Sequence, residues 1–185
     1  MSAPKAMNDI QAARDFIAHV LEISRDTARA LKEAVAMAGI AADKFDDGDD
    51  SCFAIALLIF GFSFASLKTN SPIMSQDRAI KVADLCKSTL FSNYDIPHND
   101  ARSMIKTIDG YVRIYETSIA ASQNPFFPIA DPLIKRCVKD RLDKTPRDAI
   151  SAVDPFLGAM VCDLLLISLS QSLLYWKHYL KAEGN

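Results

Sequence analysis

Asp163 is the residue that most invites a chemical interpretation, because it is the one carboxylate in the long apolar segment FLGAMVCDLLLISLSQSLLYW. Burial of a lone charge is costly unless the charge is paired or neutralised. Ser170 and Lys177 follow at seven-residue intervals and share its side of a predicted helix. Asp163 and Ser170, together with Tyr111 and Tyr115, would then line a pocket in which Asp163 anchors a ligand amine.

A structural role for Asp163 competes with this binding site. Arg102 or Arg113, both on the fourth predicted helix, would pair with the carboxylate inside the core. We favour the ion pair, because such networks also place charged groups in protein interiors.

Metal and cofactor sites are not predicted. The three histidines lie far apart, and no Glu-x-x-His pair of the kind that di-iron bundles use is present. The cysteines are scattered without a CxxC pair and are predicted to be buried thiols; they are Cys52, Cys86, Cys137 and Cys162. In the acidic cluster 46–50, an EF-hand register centred on Gly48 would need ligands at Phe45 and Ala54, so a calcium loop is not predicted. We expect the cluster to cap the next helix and to aid solubility, with a weak cation or basic-partner site as the alternative.

Catalytic motifs are also missing from the sequence. The six glycines are isolated, so they form no phosphate-binding loop, and there is no GxSxG nucleophile motif. These observations do not decide whether the protein is an enzyme, but they favour a protein without catalytic activity.

Two strongly apolar segments, 52–67 and 156–180, are predicted to be the inner helices of the fold. At 1.5 Å per residue, the first would span about 24 Å, short of the roughly 30 Å of a bilayer core. We therefore expect a core helix and no membrane span.

The rest of the chain is predicted to form amphipathic helices around these two. Apolar residues recur at helical spacing in each, and the predicted ranges are 8–38, 75–90, 100–122, 132–142 and a short helix from Thr145. The sequence therefore predicts one all-α domain over 1–185, a helical bundle of six or seven helices with the first seven and last three residues frayed.

A surface for a partner is predicted around residue 130. The segment QNPFFPIA, 123–130, contains two prolines and is predicted to be a loop, whose apolar side chains either cover the core or contact a partner. A basic face follows on the next helix. The candidate interface residues are Phe126, Phe127, Ile129, Lys135, Arg136 and Lys139.

The overall composition is that of a folded protein without a strong electrostatic preference. Half of the residues are hydrophobic, about a quarter are charged, and the formal net charge is −2. No nucleic-acid partner is expected, and the N-terminus lacks a secretory apolar region, which favours the cytoplasm. We expect a small cytoplasmic interaction or regulatory protein, with a homodimer as the favoured state. A ligand-binding helical module and an enzyme of unrecognised type are the alternatives.

Overall fold

Helix α2, Asp49–Lys68, runs through the centre of the fold and packs against every other described helix. The computed structural model describes residues 9–39, 45, 48–69, 73–93, 98–137 and 155–183. Within these ranges the protein is an all-α bundle of six helices, as the sequence predicts. The central position of α2 follows from its uniformly apolar sequence, which leaves no face suited to water.

The other five helices surround α2. They are α1 (Asp9–Met37), α3 (Gln76–Asn93), α4 (His98–Ala120), α5 (Phe127–Cys137) and α6 (Pro155–Glu183). Helix α4 packs chiefly on α2, whereas α6 packs chiefly on α1 and also reaches α2. The short helix from Thr145 and the predicted frayed termini lie outside the described residues, except for Glu183, which is the last residue of α6.

Gly61 lets α4 approach α2 closely. A Cβ atom at this position would lie 2.5 Å from the Tyr111 Cβ and 2.9 Å from the Ile108 carbonyl oxygen. Real Cβ atoms do not come so near to other heavy atoms, so the two helices can cross here only because residue 61 has no side chain.

Hydroxyl groups cross the interfaces that α6 makes with its neighbours. The Thr27 and Ser168 oxygens lie 2.7 Å apart between α1 and α6, and those of Ser63 and Ser172 lie 2.6 Å apart between α2 and α6. All four residues are buried. Their small side chains allow close packing, and each hydroxyl finds a partner that a buried polar group requires.

An aromatic cluster joins the same three helices. Phe16 of α1 lies 5.8 Å from Phe60 and 4.9 Å from Trp176, measured between ring centroids. Tyr175 meets Phe16 at 5.4 Å, and its hydroxyl donates to the Ala12 carbonyl at 2.8 Å. Rings in these tilted and edge contacts add to the stability that burial alone provides.

The Asp9 carboxylate ties the first turn of α1 to α3 and α6. It accepts hydrogen bonds from the Arg78 guanidinium at 3.2 Å and from the Tyr179 hydroxyl at 3.3 Å, and the Lys81 ammonium lies 3.5 Å away. Because Asp9 begins α1, its negative charge also opposes the positive end of the helix dipole.

Two helix starts differ from the prediction. Helix α2 begins at Asp49 and has 20 residues, about 30 Å, so its length no longer argues against a membrane span. Its N-cap is Gly48, which provides no side-chain cap, and Asp49 and Asp50 occupy the first turn. Helix α5 begins at Phe127 inside the predicted loop, where the Phe126 N–H donates to the Asn124 side chain at 2.9 Å. Pro128 falls in the first turn, where proline is tolerated, and the helix continues through Pro132.

Candidate functional site: the exposed face of the last helix

Helix α6 is apolar along most of its length but is buried on one side only. Leu157, Val161, Leu165, Leu169 and Trp176 face the core. Only 39% of its most apolar window is buried, against 83% for α2. Helix α6 packs against α1, α2 and α5, and these contacts leave one side of its apolar surface exposed.

The uncovered side carries a row of apolar residues interrupted by two charges. Phe156 is 64% exposed, Leu166 51%, Ile167 54% and Leu174 47%. Asp163, Ser170 and Lys177 lie exposed among them. We call this set the α6 strip: Phe156, Asp163, Leu166, Ile167, Ser170, Leu174 and Lys177.

The expected burial of Asp163 and Ser170 is corrected by this arrangement. Both residues are exposed, and the Ser170 hydroxyl donates to the Leu166 carbonyl of its own helix at 2.8 Å. An exposed carboxylate is solvated and needs no buried cation. Within the described ranges Asp163 forms no ion pair, and the Arg113 Nε donates instead to the Asp109 carbonyl of α4 at 3.4 Å.

Tyr111 and Tyr115 lie away from Asp163. Both are half-buried on α4 and make edge contacts with Phe62 of α2, at centroid distances of 6.4 and 5.2 Å. Asp163 lines a shallow groove of about 310 Å³ between α1 and α6, which none of the other three predicted ligand-binding residues lines. The described residues therefore do not assemble the pocket that the sequence suggested.

The predicted partner surface around residue 130 is divided by the fold. Phe126 and Ile129 are buried in the core, and the Phe126 ring lies 5.1 Å from that of Phe62. Phe127 is 71% exposed. Lys135 and Arg136 belong to α5, but their side chains, like all of Lys139, lie outside the described residues. Two of the three apolar residues thus cover the core, one of the two roles that the sequence left open.

A second groove borders the α6 strip. It has a volume of about 660 Å³ between α1 and α6, and its wall includes His19, Glu22, Leu174, Tyr175 and His178. The His19 ring centroid lies 5.7 Å from that of Tyr175, with the two rings tilted by 30°. Burial raises the pKa of the Tyr175 hydroxyl, and the negative charge of Asp15 raises it further, so this hydroxyl stays protonated and donates to the Ala12 carbonyl.

The titratable groups of the described residues form no metal centre. Among them no cluster of three or more histidine, cysteine or carboxylate side chains has a geometry that would hold an ion. The four cysteines are free and buried. Burial raises the pKa of the Cys86 thiol strongly, and burial together with the neighbouring Asp163 charge raises that of Cys162. Neutral thiols of this kind are poor nucleophiles.

No protein-family model, curated protein or solved structure matches this chain. Two helices of the described part, α2 and α6, are long and apolar enough to cross a membrane by length and composition. The α6 strip therefore has to be interpreted from its own chemistry.

The exposed side of α6 cannot be identified from residue type alone. Leucine occurs on both sides of α6: Leu165 and Leu169 are buried, while Leu166 and Leu174 are exposed. A helix with similar residues all around has no amphipathic pattern to show which side faces the core. The seven-residue spacing of Asp163, Ser170 and Lys177 was the available signal, because it marks one side as more polar than the rest.

Proposed function

We propose that the protein acts by binding another protein through the α6 strip, as a small interaction or regulatory protein without catalytic activity. The observation that carries this proposal is the row of four large, half-exposed apolar side chains on one helix face: Phe156, Leu166, Ile167 and Leu174. A concentration of exposed apolar side chains on one helix face, flanked by polar groups, is typical of interaction sites in folded proteins.

The other exposed apolar residues do not form such a row. Single exposed hydrophobic side chains occur on α1, α3, α4 and α5, and they need no special explanation. They are Ile10, Ile80, Ile119 and Phe127, whereas the exposed Met37 lines the same groove as Ile167 and so borders the α6 strip. The concentration on α6 therefore singles out that face.

We further propose a reducing, cytoplasmic location. All four cysteines are free thiols inside the core, with no disulfide among them. Proteins of oxidising compartments commonly use their cysteines in disulfides, whereas cytosolic proteins keep them reduced.

The test compares association of the native chain with that of a strip variant carrying Leu166→Ser, Ile167→Ser and Leu174→Ser. These side chains are about half exposed, so we expect the variant to fold. The mass and stoichiometry of untagged protein purified without detergent would be measured by native mass spectrometry and sedimentation velocity. The native chain should form a defined protein complex, and the strip variant should lose at least 90% of it.

The matched control replaces three exposed isoleucines outside the strip, with Ile10→Ser, Ile80→Ser and Ile119→Ser. Their exposure is 44%, 43% and 47%, so the two variants lose similar apolar surface, and the control should keep the complex. The proposal fails if the native chain is monomeric and unbound. It also fails if native protein, but not the strip variant, floats with phosphatidylcholine vesicles, since the strip would then contact lipid.

A further inference from the structure

We infer that the protein bound by the α6 strip is a second copy of this chain, and that the two α6 helices cross in antiparallel orientation on a two-fold axis at Ser170. The inference rests on the proposed function and identifies its partner. It follows from the placement of charge, size and apolar surface along α6.

A two-fold interface must be complementary to itself, because the same patch lies on both sides. In an antiparallel pair centred on Ser170, a residue a given number of positions before Ser170 in one copy meets, in the other copy, the residue the same number of positions after it. Asp163 lies seven positions before Ser170 and Lys177 seven after. Each carboxylate thus faces the ammonium group of the partner's Lys177, so one axis makes two opposite-charge contacts.

The apolar residues obey the same symmetry. Leu166 and Leu174 lie four positions before and after Ser170, so Leu166 of each copy would pack on the partner's Leu174. Ile167 would meet the partner's Leu173, which is partly buried in the protomer. Apolar contacts near the axis with ion pairs at the margin give the ordinary order of a protein interface, an apolar centre within a polar rim.

Ser170 suits the crossing point. Its side chain is small, which lets two helix backbones approach, and its hydroxyl already donates to the Leu166 carbonyl of its own helix at 2.8 Å. Covering it therefore leaves no hydroxyl proton without an acceptor. The seven-residue repeat of Phe156, Asp163, Ser170 and Lys177 also keeps one side of α6 facing a partner helix.

The two charges cannot satisfy each other within one chain. Asp163 and Lys177 are fourteen residues apart on one helix, which separates them by about 21 Å along its axis. Neither forms an ion pair with another described residue. The hydrocarbon core of a bilayer would leave both charges unpaired at a substantial cost, whereas a second copy pairs both. The charges thus favour this chain as its own partner.

Cross-linking tests the register directly. The Ser170→Cys variant should form a disulfide-linked dimer under mild oxidation, because the two positions meet at the axis. The Leu166→Cys and Leu174→Cys variants should not cross-link alone, since each position lies eight residues, about 12 Å, from its own copy along the axis. A mixture of these two variants should give the mixed dimer. The native chain is the control, because its four thiols are buried.

Charge reversal tests the ion pairs independently. Asp163→Lys or Lys177→Asp alone turns both contacts repulsive and should raise the dimer Kd about tenfold in low salt. An equimolar mixture of the two variants should dimerise again, because every contact in the mixed dimer is attractive. The double reversal in one chain should restore the Kd to within about twofold of the native value.

Failure of this inference can be separated from failure of the proposed function. A native complex that depends on the strip but contains a different protein leaves the proposed function standing and overturns the second copy. Self-linking by Leu166→Cys and Leu174→Cys individually would indicate a parallel pair and overturn the two-fold at Ser170. Sedimentation of the native chain as a monomer that binds nothing overturns both.

Discussion

The hydroxyl oxygens of Ser63 on α2 and Ser172 on α6 lie 2.6 Å apart, and both residues are completely buried. Each oxygen also lies near a carbonyl of its own helix, Ile59 for Ser63 at 2.6 Å and Leu169 for Ser172 at 2.7 Å. The two hydroxyl groups therefore have two protons for three close oxygen–oxygen contacts, one between the hydroxyls and one from each hydroxyl to a carbonyl. The central helix and the last helix are joined by this pair as well as by apolar contact.

We expect Ser63→Ala and Ser172→Ala each to lower the free energy of unfolding by about 1 kcal/mol, and the pair to show a coupling energy of about 0.5 kcal/mol. The coupling is small because the remaining hydroxyl can still donate to its own helix. Urea unfolding followed through Trp176, the chain's only tryptophan, measures these values. Ser170→Ala, at an exposed site, should change stability by less than about 0.5 kcal/mol. A coupling energy of zero would show that the two hydroxyls do not interact.

The close crossing at Gly61 gives a second prediction. Gly61→Ala should destabilise the protein by about 1–3 kcal/mol, because the new methyl group meets the Ile108 carbonyl and the Tyr111 side chain. Gly110→Ala is the matched control: it lies inside α4 with no heavy atom within 4 Å of an added Cβ. That substitution should stabilise the protein by about 0.8 kcal/mol through helix propensity. Thermal unfolding that ranks the two variants in the opposite order would contradict the crossing.

The central features of the fold were accessible from sequence because they depend on composition. A segment such as Cys52–Leu67, without a charge, must be surrounded by apolar groups, and the structure places it at the centre of the bundle. The ranges of α1 and α4 follow from regular apolar spacing, and their predicted ends lie within two residues of those observed.

What the sequence could not supply was orientation. Neither the exposure of Asp163 nor the burial of Phe126 beside the exposed Phe127 follows from residue type, because each depends on which neighbours cover the helix. The prolines at 125 and 128 indicated a loop, yet proline in the first turn costs a helix little, so α5 starts among them. Tertiary packing decided the first two cases, and the local tolerance of a first helical turn for proline allowed the third.

The buried thiol of Cys86 makes stability depend on alkaline pH. Burial raises its pKa far above the ordinary 9.0, so above pH 9 the unfolded chain releases a proton that the folded chain keeps. This contribution is constant below pH 9 and falls with rising pH by about 1.4 kcal/mol per unit. Urea unfolding between pH 7 and 10.5 should therefore show a shallower alkaline decline for Cys86→Ala. The packing cost of that substitution is the same at every pH, so parallel curves would contradict the assignment.

The Asp9 carboxylate is expected to stabilise the protein more than an ordinary surface charge does. It contacts Arg78, Lys81 and Tyr179 from two other helices, and its side chain is 23% exposed. Asp9→Asn keeps the shape and removes the charge, so the variant should lose about 1–2 kcal/mol of unfolding free energy in low salt.

The comparison is Asp26→Asn, which removes one member of the Asp26–Arg29 pair, 68% and 70% exposed on α1. That variant should lose less than about 0.5 kcal/mol, because water screens an exposed pair. Raising the salt concentration to 1 M should narrow the difference between the two variants, since the Debye length falls to about 3 Å. Equal losses for the two substitutions at low salt would mean that Asp9 stabilises the packing of α1 on α3 and α6 no more than a solvated surface charge would.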